Sequence, residues 1–430
     1  MTTSPLHEAR IPAHIAQTLV DPSAYAGDRI HETYRWLRAN NPLGFAEIDG
    51  FDPFWVVARH ADILEISCQN ALFHNGDRPT TLTTRADDAR VRQITGGSPH
   101  LVRSLVQMDD PGHAKYRALT ASWFAPGNVR KIEGEIRAIA RAAVERLAML
   151  GGRCDFGADF AFGYPLHVIM SILGVPERDE PRMLMLTQKL FGAADPDGAR
   201  AAAVLTAEQF SKIIEPAVAD FTAYFAGISA DRRLHPRDDL ATLIANARID
   251  DKPISDLDAT GYYIIVATAG HDTTSSSMIG GLQALAQEPA LLRRIQADPA
   301  QIPGLVEESI RWTTPVKTFM RSATADTTLG GRAIARNDWL MLCYASGNRD
   351  ETVFEEPFKF RPDRKPARHV SFGSGAHFCL GQHLAKLEMR ILFEELLPKL
   401  KSLQLDGEPI LSQSWFVNGP KVLPVRFEMI

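Results

Sequence analysis

Apolar residues return every third or fourth position along much of this chain. The segments around Ile132–Leu150, Leu166–Leu173 and Asp256–Leu285 show this spacing and are closed off by proline or glycine, which predicts amphipathic helices. Elsewhere the period drops towards two. FAEIDGFDPFWVVAR (Phe45–Arg59) reads as two apolar strands around Asp49-Gly50, a hairpin signal. The Arg321–Leu342 stretch and the C-terminal Lys421–Phe427 also alternate like strands. The pattern predicts a mainly α protein with small sheets and no internal repeat.

One predicted helix stands apart. Ser255-Asp256-Leu257-Asp258 has the form of a capping box, and nothing stops the helix before Pro289. At 1.5 Å per residue, a helix of this length would run roughly 45–50 Å, enough to cross a domain. Its middle, GYYIIVATAG (Gly261–Gly270), is almost wholly apolar, so the helix is expected to pass through the core.

Composition narrows the class. The 430 residues are 45% hydrophobic and 23% charged, the balance of a water-soluble chain with a sizeable core. No linker, charge block or low-complexity tract divides them, so residues 1–430 are expected to form a single domain. The N-terminal segment lacks the basic and apolar regions of a secretory signal, and nowhere do 18 apolar residues run unbroken; a cytoplasmic, membrane-free protein is the expectation. A net charge of −5 gives no general attraction to nucleic acid or anionic lipid. Cys68, Cys154, Cys343 and Cys379 form no C-x-x-C pair, which argues against zinc ribbons, thioredoxin-like chemistry and an iron–sulfur cluster.

Cys379 has the most informative neighbours: His369-Val-Ser-Phe372-Gly373-Ser-Gly375-Ala-His377-Phe-Cys379-Leu-Gly381. Glycines at 373 and 375 permit positive φ and a tight loop whose backbone can lie against a planar ligand. An amphipathic helix follows the cysteine, and amides at its start can donate to a thiolate, as suits an anionic iron ligand. A second unusual feature is Asp272-Thr273 in the middle of the apolar helix. An acid beside an alcohol there is costly unless solvated or bonded. Two readings are open. Thr273 can bond back to the carbonyl four residues earlier while Asp272 pairs with an arginine, or the pair, beside Gly270, can open the helix, hold water and relay protons. A third feature is Glu308-Ser-Ile-Arg311, whose charges lie three apart on one helical face.

The stretch from Phe372 to Gly381 matches the signature F-x-x-G-x-x-x-C-x-G and resembles the cysteine loop of the cytochrome P450 family; Ala269–Thr274 resembles that family's oxygen-activation motif. The resemblance extends over essentially the whole chain. ITGGSPHLVRSL (Ile94–Leu105), ASWFAPGNVRKIE (Ala121–Glu133) and YPLHVIMSILGVPERDEP (Tyr164–Pro181) look like segments of the terpineol-hydroxylating type. The implied fold is the family's helical prism with a small β-rich lobe. The implied cofactor is haem b (iron protoporphyrin IX), with Cys379 as axial iron ligand. By the same resemblance His113, Arg117, Arg321 and His377 are candidates to hold the haem propionates, and Glu308, Arg311 and Arg364 form a structural network. Thr273 and Asp272 manage oxygen and protons, and Val266, Ala269, Val316 and Phe416 occupy positions that touch substrate.

The implied activity is insertion of one oxygen atom from O2 into an apolar substrate, a terpenoid or aromatic hydrocarbon. No Gly-rich dinucleotide fingerprint, flavin domain or iron–sulfur cysteine set is present, so electrons must come from outside. A [2Fe–2S] ferredoxin with its NAD(P)H-linked reductase is the expected donor. His383, Lys386 and Arg390 recur at three and four residues after the cysteine, which makes either a docking face for that ferredoxin or an ordinary solvated face. Other classes that share the cysteine loop are a peroxygenase using hydrogen peroxide, which would not need the Asp272-Thr273 pair, and a haem-binding sensor, which would carry a further signalling module.

Overall fold

The computed structural model describes residues 9–191, 207–365 and 368–430. The helices that frame the site are α1 (Gly112–Ala121), α2 (Glu133–Ala148), α3 (Gly163–Leu173), α4 (Asp256–Ala269), α5 (Asp272–Gln287), α6 (Ile302–Thr313) and α7 (Gln382–Leu396). Their apolar faces meet in one large core that includes Ile136 and Val144 of α2, Ile169 of α3, Tyr263 of α4, Ile279 of α5, Leu305 of α6 and Ile391 of α7. Removing each such aliphatic side chain from water contributes about 1.5–3 kcal/mol, which offsets the entropy of ordering the helices. Among the described residues no helix is long and apolar enough to cross a membrane.

A five-stranded sheet stands beside the helical body. Its strands are β1 (Leu43–Ala46), β2 (Phe54–Val57), β3 (Phe73–His74), β4 (Thr318–Ala323) and β5 (Trp339–Cys343), in the order β1-β2-β5-β4-β3. The hairpin expected around Asp49-Gly50 is β1 paired antiparallel with β2, and Gly50 takes φ +83° at its turn. β2 and β5 are buried throughout. Phe54, Val56, Trp339 and Met341 point into one apolar cluster, while Trp55, Val57, Leu340 and Leu342 point into another. A strand covered on both sides shows no polar alternation, which explains the run of apolar residues in each. The alternation near the C-terminus is that of Pro424–Met429, which pairs with Leu400–Leu405 on one side and Arg153–Asp155 on the other.

The long central helix differs from expectation. Ser255 caps it as foreseen, accepting the Asp258 amide at 3.1 Å, but the helix is not continuous to Pro289: α4 ends at Ala269 and α5 begins at Asp272, with Gly270 and His271 between. Two local causes coincide. Glycine is a poor helix former, and a Cβ at position 270 would lie 3.0 Å from the Ile169 side chain, so α3 packs tightly against this point.

Candidate functional site

The loop before α7 is held in shape by its own backbone. Gly373 and Gly375 take φ +69° and +67°. The Cys379 amide donates to the Phe372 carbonyl at 2.9 Å and the Phe378 amide to Gly375 at 3.1 Å. A side chain at Gly375 would collide with the Ser67 carbonyl. Cys379 does not itself begin the helix, which starts at Gln382 with Gly381 as cap. The amide donors foreseen from the sequence are present, but burial outweighs them. Burial pushes the Cys379 thiol up, and the amides of Gly381 and Gln382 together with the Arg117 charge offset only part of that rise.

Four cationic candidates converge on this loop. The rings of His113, on α1, and His377 lie 4.1 Å apart, tilted by 32°. Arg117, one turn along α1 from His113, donates to the Phe378 carbonyl at 2.6 Å. Arg321, buried on β4, donates to the Met320 carbonyl at 2.8 Å. The His377 imidazole is lowered to about 2 by burial first and then by Arg321, His113 and Arg117. His113 is lowered by burial and Arg117. Two arginines whose charge disfavours protonation of two neighbouring imidazoles form a site suited to anions.

At the helix break the Thr273 hydroxyl donates to the Ala269 carbonyl at 3.0 Å. This is the back-bonding geometry, and it coexists with the opened helix: the side chain takes a carbonyl at the point where the helix is interrupted. Asp272 is buried, and His271 Nδ1 lies 3.2 Å from its Oδ1. His271 Nε2 reaches the Phe162 carbonyl at 2.8 Å and ties the break to the start of α3.

Glu308 and Arg311 meet side-on, with Arg311 Nε and Nη2 each 2.7 Å from a different carboxylate oxygen. Arg364 Nε adds a contact to Glu308 at 3.1 Å and the Arg361 amide another at 2.7 Å. Arg311 also donates to the carbonyls of Asn348 at 2.8 Å and Pro357 at 3.0 Å. Asn348, which sequence reasoning passed over, carries the network to the cysteine loop. Its side chain accepts the Val370 amide at 2.7 Å and donates to the hydroxyls of Ser371 and Thr314, both at 2.8 Å.

Residues 206–425 match the family model described as Cytochrome P450. Over 421 residues, 97% of this chain and 98% of the relative, the sequence is 50% identical to cytochrome P450-terp of Pseudomonas sp. The chain belongs to the cytochrome P450 family. It is a monooxygenase of that family, whose relatives include linalool 8-monooxygenase of Pseudomonas putida, 31% identical over 95% of this chain and 98% of that one. The crystal structure of CYP108D1 from Novosphingobium aromaticivorans superimposes with a TM-score of 0.91 at 48% identity, covering 98% of this chain and 100% of that one.

A P450 carries a haem-thiolate cofactor, and the residues present suit one. Such a group needs a thiol with hydrogen-bond donors at sulfur and cationic partners for two carboxylates. Cys379 has the first, and the His113, Arg117, Arg321 and His377 cluster has the second.

The four substrate-side candidates of this P450 all keep accessible surface, and Ala269 is exposed although its helix runs through the core. Val316 bridges to Val417, and the Phe416 ring packs 5.2 Å from Phe319. Nearby, Gly419 sits so close to Ser276 of α5 that a Cβ would clash. Tyr262 lies seven residues before Ala269, a spacing that puts both on one helical face, yet it is buried, with its hydroxyl 2.5 Å from Thr120 of α1. The surface stripe on α7 also differs from a free positive face. Lys386 pairs with Glu307 at 2.6 Å, and Arg390 pairs with Glu133 at 3.0 Å and Glu394 at 2.8 Å. Carboxylates on α2 and α6 neutralise what the α7 sequence alone presents as charge.

Proposed function

We propose that this P450 binds haem b through Cys379 and hydroxylates a terpenoid, using electrons from a [2Fe–2S] ferredoxin and its NAD(P)H-linked reductase. The observation that carries the reading is the convergence, on one loop, of the amide-supported Cys379, two arginines and two imidazoles. Bound there, the haem supplies activation of O2 with electron donation from the thiolate.

The chain's own residues do the rest. Arg117 and Arg321 neutralise the propionates, and His113 and His377 offer them ring N–H donors. Glu308, Arg311 and Arg364, acting through Asn348, hold the cysteine loop rigid, so that the sulfur keeps its position. Asp272 and Thr273 hold and pass protons at the interrupted helix, where the Thr273 hydroxyl donates to the Ala269 carbonyl. Val266, Ala269, Val316 and Phe416 present apolar surface to substrate and exclude water. Residues 1–430 act as one catalytic domain, and the cytoplasm, where soluble reductants are at hand, is the compartment this chemistry suits.

A terpenoid is favoured over an aromatic hydrocarbon by the relatives. Linalool 8-monooxygenase is named for a terpene alcohol, and a Mycobacterium marinum P450, 32% identical with a TM-score of 0.85, was solved with pseudoionone. Titration of the oxidised protein with linalool, pseudoionone and naphthalene tests the choice. Low-to-high-spin conversion and hydroxylated product with the terpenoids, and neither with naphthalene, is the expected result. The reverse order would exchange the substrate class.

The electron donor must approach the face near the cysteine loop. Arg130 and Lys131 are exposed there, immediately after a short helix (Pro126–Val129) that packs on α7. They replace Lys386 and Arg390 as the cations offered to an acidic ferredoxin.

A further inference from the structure

Asp258 is buried in the first turn of α4, and two other segments meet on its carboxylate. Oδ2 accepts the hydroxyl of the capping Ser255 at 2.7 Å and that of Tyr116, on α1, at 2.6 Å. Oδ1 lies 3.0 Å from Nη1 of Arg103, an ion pair without hydrogen-bond alignment. Tyr116 keeps its proton for the bond it makes: burial, the bond itself and the Asp258 charge push the phenol up to about 12, against a pull down from Arg103. The Arg103 side chain is more than half exposed. Its tie is therefore screened by salt and is the one that gives way first, while the two aligned bonds to Oδ2 hold the carboxylate in place.

Two observations connect this carboxylate to the substrate side. Asp258, Tyr262, Ile265 and Ala269, spaced by four, three and four, form one stripe of α4. α1 covers its start through Tyr116 and Thr120, and Ala269 at its far end is exposed. The chain ahead of α1 also lies directly on α4, since a Cβ at Gly261 would fall 1.8 Å from the Arg103 carbonyl oxygen. Leu105 shares a core cluster with Tyr262, and Val102 packs against that cluster together with Val266. Residues 102–105 therefore lie over α4 beside the side chains that face substrate. On the other side of the carboxylate, α1 carries Arg117, which donates to the Phe378 carbonyl at 2.6 Å.

We propose that Asp258 is a positioning residue for substrate: its pair with Arg103 fastens residues 102–105 over the bound molecule, and the Tyr116 hydroxyl, by fixing the carboxylate, ties that fastening to the seating of α1. The inference rests on the reading of Val266 and Ala269 as the substrate side and adds what keeps the molecule there. Release requires the segment to lift and Arg103 to leave Asp258 for water. Coupling of this kind is reciprocal. Seating α1 tightens the fastening, and a molecule that keeps the segment down helps to seat α1, with Arg117, against the cysteine loop.

The test is a double-mutant cycle on the haem-loaded protein with linalool as probe. Arg103→Gln should raise the linalool dissociation constant about tenfold, and Tyr116→Phe, which removes only the hydroxyl on the far side of the carboxylate, about threefold. The double variant should lose about tenfold, not the roughly thirtyfold of independent effects, because both changes act through Asp258. Added salt should weaken binding to wild type and leave Arg103→Gln nearly unaffected. Turnover of Arg103→Gln at saturating linalool should stay within about twofold of wild type, since the residue acts on residence and not on chemistry. Independent losses, or wild-type affinity in either single variant, contradict the proposal. Hydrogen exchange of the ligand-free protein gives a second reading that needs no known substrate. Arg103→Gln should speed exchange in α1 as well as in residues 101–107, and Tyr116→Phe should speed it in residues 101–107 as well as in α1. Faster exchange confined to the altered segment overturns the coupling. A wild-type protein that binds no terpenoid, or no haem through thiolate, would end the monooxygenase reading, and the exchange comparison would still decide this one.

Discussion

The side-chain carbonyl of Asn348 accepts the Val370 amide at 2.7 Å, and through this bond the buried Glu308–Arg311 pair reaches the loop that carries Cys379. Asn348 is wholly buried and spends its amide hydrogens on Ser371 and Thr314. Asn348→Ala would strand the Val370 N–H, at about 1–3 kcal/mol, and would take a donor from the Ser371 and Thr314 hydroxyls, which keep their own bonds to the Ile310 and Arg311 carbonyls. The expected outcome is lower stability in urea and a fraction of protein whose carbon monoxide spectrum has lost its thiolate signature. A variant with wild-type spectrum and midpoint would remove Asn348 from the account.

Removing one partner of the Glu308–Arg311 pair leaves a buried charge alone, because neither side chain is more than 2% exposed. Arg311→Ala should cost about 3–5 kcal/mol and abolish stable haem incorporation. Replacing both Glu308 and Arg311 by apolar residues should restore part of the folding stability but not the haem content, since Arg311 also holds the Asn348 carbonyl. Unfolding curves and haem-to-protein ratios of the three proteins separate the two effects.

Lys317 is buried, donates to the Thr313 carbonyl at 2.6 Å, and is lowered to about 7 by burial and by the charge of Arg349. A lysine depressed on folding binds its proton more readily in the unfolded chain. Between its ordinary range near 10.5 and about 7 the unfolded state therefore holds the extra proton, so this residue's contribution to stability falls as pH falls through that window. Lys317→Met should be more stable than wild type at pH 7, by on the order of 4 kcal/mol at most, and the difference should shrink towards pH 10. A difference independent of pH would mean that the lysine stays charged when folded.

Arg130→Glu with Lys131→Glu should slow electron transfer from ferredoxin about tenfold or more at low salt, with the deficit narrowing as salt rises. Substrate-induced spectral change should be untouched. Reversal of Lys386 and Arg390 should act differently. It places carboxylates against Glu307, Glu133 and Glu394, so lost stability is expected before any effect on docking. Stopped-flow reduction together with thermal unfolding distinguishes the two surfaces.

Much of this was legible in the sequence because its physical causes are local. The Gly373–Gly375–Cys379 spacing prescribes a loop that only glycine can turn, and Ser255 caps α4 within three residues. The spacing of Glu308 and Arg311 puts both charges on one helical face. What escaped was decided by elements distant in the chain. Lys386 and Arg390 look like a free positive stripe until α2 and α6 bring Glu133 and Glu307 beside them. Tyr262 looks like a pocket residue until α1 supplies Thr120. Asn348 and His271 are single polar residues without periodicity, and each takes its meaning from a backbone carbonyl or amide contributed by another segment. The break at Gly270 is intermediate: a glycine beside Asp272-Thr273 was visible, but the pressure of Ile169 against it was not.

The central claim, that the Cys379 thiolate is the iron ligand, is tested most directly by the absorption spectrum of purified protein reduced with dithionite under carbon monoxide. A Soret band near about 450 nm in wild type, displaced to roughly 420 nm in Cys379→His, is the expected result for thiolate ligation at this residue. A wild-type band already near roughly 420 nm in freshly prepared protein, or protein that takes up no haem, would contradict it.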